Sequence, residues 1–414
     1  MKSKLAKGSS GNITSFGMTY LSPDAMRDAR KFMSADQKGV RDEIGFLIVH
    51  QRYADRFFPG TSVLHTRLRY VLFVPWLYRD EFLKPAKAER TQDSVKRREY
   101  HLTGRLMNEP SGVIGIRNYP APVEQRPSQV YWGALQRWGL VREQDGTGPL
   151  SRYQVERLVS GKSGVPLRDD EGALLGDASW PFVCPEPPDE WYRQGEGTLS
   201  FKLTRSERKF LAKRLRSLSS PKNPGARSLL SLLVGHDVST SRTAWGPQIR
   251  ELAETEKPAL KRAGYAAALA AIGRSIYAAQ VETLCDELDG SKRSQRQREA
   301  LPTILSRWKN QADLLDWNAF LDDMHDKSEL SPVVAAALRD TLAWIRAGHT
   351  DPMRLETVYR DAEIYRKGRR ARLSRNQFGV DQRADWDNDH HPLGEPLHYR
   401  WGQVQMLLKD LVGA

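Results

Sequence analysis

The segment FFPGTSVLHTRLRYVLFVPWLY, from Phe57 to Tyr78, is the most apolar part of a polar chain, and it constrains the fold most. Its continuous apolar run, Tyr70–Tyr78, has nine residues, whereas a helix that spans a bilayer needs about 20. Pro75 lies inside this run and disfavours both a central strand and an uninterrupted helix. The segment therefore predicts a buried helix that is kinked near Pro75 and does not enter a membrane.

A turn is predicted directly before this helix. Pro59 and Gly60 are typical turn residues, and Thr61 or Ser62 can cap a helix that continues through VLHTRLRYVLFVPWLY. Thr61 and Ser62 also make this turn a candidate phosphate site, because a helix N-terminus presents free backbone N–H groups.

Two arginines, Arg67 and Arg69, fall within the predicted buried helix and need hydrogen-bond acceptors. They are either structural partners of acids such as Asp55 and Glu81, or phosphate ligands beside the capped turn. The structural interpretation is favoured, because buried arginines are usually paired within the fold.

The charge balance indicates a polyanionic partner. The chain has 414 residues, a net charge of +13 and a pI near 9.6, which favour nucleic acid first and anionic lipid second. Cys184 and Cys285 are its only cysteines, which excludes a disulfide scaffold and a cysteine-rich zinc site. The N-terminus lacks the apolar core of a secretory signal, so a cytoplasmic protein is expected.

The chain is predicted to be mainly α-helical and to contain several domains. A flexible lead-in, 1–16, precedes a helical domain, 17–107, and a C-terminal helical domain covers 201–414. Between them, 108–200 is rich in Gly and Pro, which predicts a small mixed α/β region. Within it the apolar positions of PSQVYWGALQRWGLV recur at helical spacing, as in a winged helix, although many small mixed domains share this pattern.

A basic helix is the strongest electrostatic feature. Thr204 and Glu207 form the capping-box pattern that places a helix start here. At 100° per residue, four cations fall on one face opposite an apolar face. They form the predicted nucleic-acid-binding stripe: Arg205, Lys209, Lys213 and Arg216. Such a stripe can follow a phosphate backbone, or it can be an ordinary solvated helix face.

A second cluster, RKGRRARLSR, contains six cations and no acid, and Gly368 predicts a helix end or loop inside it. Arginine forks can bind phosphate bidentately, so polyanion contact is predicted for Arg366, Lys367, Arg369, Arg370, Arg372 and Arg375. The alternatives are a basic surface loop and pairing with acids of a partner subunit.

The tail DWDNDHHPLGE resembles the first strand of HNH nucleases at Asp389, His390, Pro392 and Leu393. No Asn follows Asn388, so the metal site of such a nuclease cannot be completed as in that family. A polar loop is therefore favoured over a metal-dependent nuclease that uses His390 and His391. Neither a GxSxG, an HExxH nor a GxGxxG motif is present, and no catalytic residue, metal or cofactor is predicted.

One resemblance runs through nearly the whole chain. The blocks FFPGTSVLHTRLRYVLFVPWLY, SGVIG, SQVYWGALQRWGL, GRRARL and LHYRWGQVQMLLKDL resemble a bacterial family known only as a domain of unknown function. The resemblance implies a place in antiphage defence islands, near helicases and nucleases of the phospholipase-D type. It implies no catalytic residues.

These observations predict a non-catalytic DNA-binding or scaffolding subunit of a bacterial antiphage defence complex. Its expected partners are double-stranded DNA and the helicase or nuclease subunits of the same system. The alternatives are a metal-dependent nuclease that uses the histidine-rich tail and a pure protein-interaction subunit.

Overall fold

Helices dominate the computed structural model, which describes residues 43–83, 91–121, 123–143, 148–160, 180–290, 294–325 and 330–413. Within these ranges there are fifteen α-helices and no extended strand beyond isolated bridges. In chain order they are α1 Leu47–Phe57, α2 Tyr70–Phe82, α3 Thr91–Arg105, α4 Pro127–Arg137, α5 Arg152–Ser160, α6 Arg205–Arg216, α7 Leu229–Leu233, α8 Pro247–Leu252, α9 Lys257–Glu287, α10 Arg296–Asp313, α11 Trp317–Met324, α12 Pro332–Arg346, α13 Glu356–Lys367, α14 Gln377–Ala384 and α15 Trp401–Val412.

The mainly helical prediction is confirmed, but the mixed α/β middle region is not supported by the described residues. Between 108 and 200 they form α4, α5 and a 3-10 helix, Asp189–Tyr192, with only the isolated bridges Val141–Phe182 and Glu143–Pro149. The segment WPFVCPEPP carries four prolines, which cannot donate to a strand ladder. The described residues of this region therefore do not support a winged helix.

The long helix α9 is the central element of the fold. Its alanine-rich sequence is buried along most of its 31 residues, and α10 packs along it. Small side chains allow this close approach: a Cβ added at Gly273 would lie 2.2 Å from the ring of Phe46. None of the described helices combines the length and the apolar character that a bilayer crossing requires.

The opening segment folds differently from its prediction. The whole run Tyr70–Tyr78 is buried, and α2 continues across Pro75, but the helix begins at Tyr70 and not near residue 63. Thr61 donates its hydroxyl hydrogen to the carbonyl of Phe58, and the Ser62 hydroxyl accepts from the Leu64 N–H. These local bonds fix a turn and compete with helix formation.

Residues Asp42–Ala414 form one compact unit, and the domain limits predicted at 107/108 and 200/201 both lie inside it. Asp323 on α11 illustrates how distant segments join, because it accepts hydrogen bonds from Tyr53, Arg56 and Arg262. The lead-in predicted for 1–16 lies outside the described residues.

Candidate nucleic-acid interface

Helix α6 begins where its sequence predicts, at Arg205. The Thr204 hydroxyl accepts the Glu207 N–H at 3.2 Å, and the Glu207 carboxylate accepts the Thr204 N–H at 2.8 Å. This reciprocal pair is the capping box that the sequence indicates. The start and register of the basic helix are therefore fixed by two residues of its own first turn.

The four cations of the stripe lie exposed on α6, while Leu211 and Leu215 are buried beneath them. Among the described residues no carboxylate lies within ion-pair distance of Arg205, Lys209, Lys213 or Arg216. The only acid of the helix, Glu207, is buried and faces inward. The positive charge of this face is therefore not neutralised by the described part of the chain.

Glu207 also binds the fully buried Arg69. The Arg69 guanidinium donates to both Glu207 oxygens, at 3.0 and 2.8 Å, and to the carbonyl of Ser200 at 2.8 Å. It also pairs with Glu190 in the 3-10 helix Asp189–Tyr192. Arg69 thus joins the N-terminus of α6 to that 3-10 helix.

Arg67 is also committed within the fold. Its Nε lies 2.9 and 3.0 Å from the two Asp410 oxygens, and its guanidinium stacks over the Phe201 ring at 4.7 Å. Asp410, on α15, also accepts the Leu68 N–H at 2.7 Å. Internal ion pairs therefore hold both arginines of the opening segment.

The suggested acidic partners of these arginines, Asp55 and Glu81, were wrong. Asp55 pairs with Arg400, and Glu81 accepts from Arg98 and Ser94. The acids that bind Arg67 and Arg69 are distant from them in sequence, at separations of 343, 138 and 121 positions for Asp410, Glu207 and Glu190.

A known protein family covers the part of the chain that carries α6 and the Phe57–Tyr78 block. The model of DUF6361, a family of unknown function, matches residues 17–253, more than half of the chain. The chain belongs to the DUF6361 family. This match is narrower than the nearly full-length resemblance expected from the sequence blocks. Neither a curated protein nor a solved structure matches the chain.

The second basic cluster lies beyond the DUF6361 match and is partly neutralised by the chain's own acids. Lys367 pairs with Glu363 at 3.1 Å, and Arg375 binds both oxygens of Glu356. Arg372 is half-buried near Glu43, and Arg369 stacks over the Phe378 ring at 5.0 Å. The solvent-exposed cations of the cluster are Arg366, Arg369 and Arg370.

The histidine-rich tail does not bring its two histidines together. His390 is 83% exposed and pairs with Asp387 at 2.9 Å, whereas His391 is buried against the Trp386 ring. The His391 carbonyl accepts from Arg296 and Gln297, which ties the loop to α10. In the described ranges no three His, Cys, Asp or Glu side chains are arranged to hold a metal ion.

Sequence reasoning missed a cleft between α2, α3 and the 3-10 helix that holds Trp191. Asp80 of α2 and Arg98 and Arg105 of α3 line it, and they share no sequence motif. Burial raises the pKa of the Asp80 carboxyl, although Trp191 and Arg98 act in the opposite direction. Burial also lowers the pKa of the Arg105 guanidinium. Perturbed groups in a cleft are a reason to look for a ligand.

Proposed function

We propose that this DUF6361 protein is a non-catalytic DNA-binding subunit that contacts the phosphate backbone of duplex DNA through α6. The observation that carries the proposal is the stripe Arg205, Lys209, Lys213 and Arg216, exposed on one face without a carboxylate partner in the described part of the chain. A net charge of +13 supports it, because such a protein attracts polyanions from a distance.

The stripe matches the dimensions of a DNA backbone. Its first and last cations are eleven residues apart, which corresponds to about 17 Å at 1.5 Å per residue. Neighbouring phosphates of one strand follow at intervals of several ångströms, so the stripe can meet about three or four of them. Contacts of this kind carry no base sequence information, and their strength comes from the release of counterions.

The exposed cations Arg366, Arg369 and Arg370 extend the proposed contact in a minor role. Three of the six cations in their cluster are already engaged by Glu363, Glu356 and Glu43. Because these three charges are neutralised within the fold, the α6 stripe is the main proposed site.

The proposed setting is the cytoplasm of a bacterium, where the protein presents DNA to a helicase or nuclease subunit of an antiphage defence complex. This setting rests on the resemblance of the sequence blocks alone. The family description itself names no activity.

The experiment replaces three stripe residues together, Arg205→Ala, Lys209→Ala and Lys213→Ala, and measures duplex DNA affinity against salt. The wild type should lose affinity steeply with salt, and the triple variant should flatten the slope of log K against log salt by about 3, because each phosphate contact contributes about 0.9. Fluorescence anisotropy with an unrelated pair of duplex sequences checks both the slope and the absence of base preference.

The matched control removes three exposed cations elsewhere, with Lys257→Ala, Lys261→Ala and Lys309→Ala. It lowers the net charge equally, so a local contact and a general charge effect give different results. An equal loss in both triple variants, or no binding of the wild type at low salt, contradicts the proposal. Retention of a partner protein after nuclease treatment, with no DNA affinity, would instead assign the stripe to an acidic protein surface.

A further inference from the structure

The cleft at Trp191 has the size and the walls of a small-ligand site. Its volume is about 390 Å³, within the range of ligand pockets. Leu77 and Asp80 of α2 form one wall, His101 and Arg105 of α3 a second, and Trp191 with Tyr192 a third. Three separately anchored segments therefore converge on one space.

The polar groups of the cleft include a donor and acceptors that can form further hydrogen bonds. Arg105 donates its Nε to Thr198 and its Nη2 to the carbonyls of Glu190 and Trp191, which leaves Nη1 without a hydrogen bond among the described residues. Among the described residues, the Asp80 Oδ1 accepts only a long bond, 3.3 Å, from the Trp191 indole. Glu196 adds a second carboxylate to the lining.

The aromatic groups of the cleft offer a flat surface. Trp191 is buried against Phe73 and Trp76, which fixes its ring in place. Tyr192 is 58% exposed beside it, and Tyr119 stacks on Tyr100. An exposed tyrosine held next to a rigid indole is a platform on which a planar ligand can stack.

We propose that this cleft binds a single unstacked nucleobase. A base is planar, has a π face for Tyr192, and carries donors and acceptors on one edge that can meet the Asp80 carboxylate and the Arg105 guanidinium. The paired signs of charge disfavour the other common ligands. The carboxylates Asp80 and Glu196 offset the two arginines of the lining, so no net positive charge favours a bare phosphate, and the charged lining opposes a wholly apolar molecule.

The position of the cleft supports a nucleic-acid source for the base. Arg69 holds the 3-10 helix that carries Trp191 and Tyr192 through Glu190, and it holds the start of α6 through Glu207. The cleft and the stripe are thus joined through one buried guanidinium. This part of the inference rests on the proposed function, whereas binding of a free nucleotide base does not.

The test uses 2-aminopurine, a fluorescent base that stacking quenches, both as the free riboside and within a single-stranded oligonucleotide. We expect quenching on binding to the full-length protein. Tyr192→Ala should weaken binding by about 5- to 150-fold, the range for loss of one stacking partner. The matched control is Tyr153→Ala, which removes a tyrosine that is 67% exposed on α5 and does not line the cleft.

The two forms of the probe separate the sources of the base. Tyr192-dependent quenching of the oligonucleotide alone supports a strand, and the same quenching of the riboside supports a free nucleoside. Equal binding by wild type and Tyr192→Ala, or no quenching of either probe, overturns the inference. The triple variant of the α6 stripe distinguishes the two proposals. If this variant still quenches the riboside, the cleft assignment stands even when no duplex binding is observed.

Discussion

Arg69 is a buried residue that also positions the elements of the candidate site. Its side chain is fully buried, and it neutralises Glu207, which is also buried, together with the half-buried Glu190. A guanidinium can hold two carboxylates because its five N–H groups diverge in one plane, which an ammonium cannot reproduce. Arg69 therefore fixes the geometry of both neighbouring elements.

Arg69→Met should destabilise the protein strongly. The replacement leaves the Glu207 carboxylate buried without its partner, and breaking a buried pair in this way costs about 3–5 kcal/mol. Urea unfolding followed by tryptophan fluorescence measures the free energy. The control is Arg339→Ala, which breaks an exposed pair with Asp340 and should cost less than about 1 kcal/mol. Similar losses in both variants would contradict the structural role of Arg69.

His50 should make stability depend on pH in a defined direction. It is buried, and burial, aided by His398, Arg400 and Arg274, lowers its pKa to about 2. Its unfolded pKa is about 6.5, so below that pH the unfolded chain binds a proton that the folded chain does not. His50 therefore does not lower the free energy of unfolding above pH 6.5, and it lowers this free energy progressively as the pH falls below that value.

The measurement compares wild type with His50→Phe by denaturant unfolding at pH 7.5 and pH 5.0. The wild type should lose about 2 kcal/mol more than the variant over this interval, which is the linkage value for one such histidine. His236→Phe, at an exposed position, is the control. Parallel losses in wild type and His50→Phe would show that His50 is not kept neutral by the fold.

At the scale of elements, local signals predicted what local interactions decide. The capping box at Thr204 and Glu207 and the cationic face of α6 were readable, because all their atoms lie within one helix. The start of α2 was not, because Thr61 and Ser62 make turn bonds instead of a cap. The patterns that fix helices repeat every few residues, and turn bonds leave no such repeat.

Contacts between elements could not be read from the sequence. Arg67 binds Asp410, and the two are 343 positions apart. The cleft at Trp191 is assembled in the same way, from α2, α3 and a 3-10 helix. The sequence also overestimates the free positive charge of the second basic cluster. Glu356 and Glu363, which lie earlier on α13, neutralise part of that charge.

At the scale of the molecule, the DUF6361 match and the folded unit have different limits. The match ends at residue 253, whereas the compact unit Asp42–Ala414 continues to the end of the chain. Buried polar groups cross that limit: Tyr53 and Arg56 bind Asp323, and Arg67 binds Asp410. The matched segment thus lacks acids that its own side chains require.

A fragment of residues 17–253 should therefore not fold independently. It would retain Arg56 and Arg67 without Asp323 and Asp410, and it would expose the face of α1 that packs against α11. Far-UV circular dichroism and urea titration should show no cooperative transition for the fragment, while the full chain unfolds cooperatively. A fragment transition at the midpoint of the full chain would contradict this prediction.

The long reach between Arg67 and Asp410 also has a consequence for synthesis on the ribosome. Their separation is 343 residues, which at 5–20 residues per second corresponds to a delay of about 20 to 70 seconds. During this delay Arg67 and the Leu68 N–H lack the Asp410 acceptor that they share in the finished fold, whereas the apolar sequence YVLFVPWLY can pack against Tyr131 and Phe201. The Arg67–Asp410 pair is therefore one of the late contacts to form, after the aromatic neighbours of α2 have been synthesised.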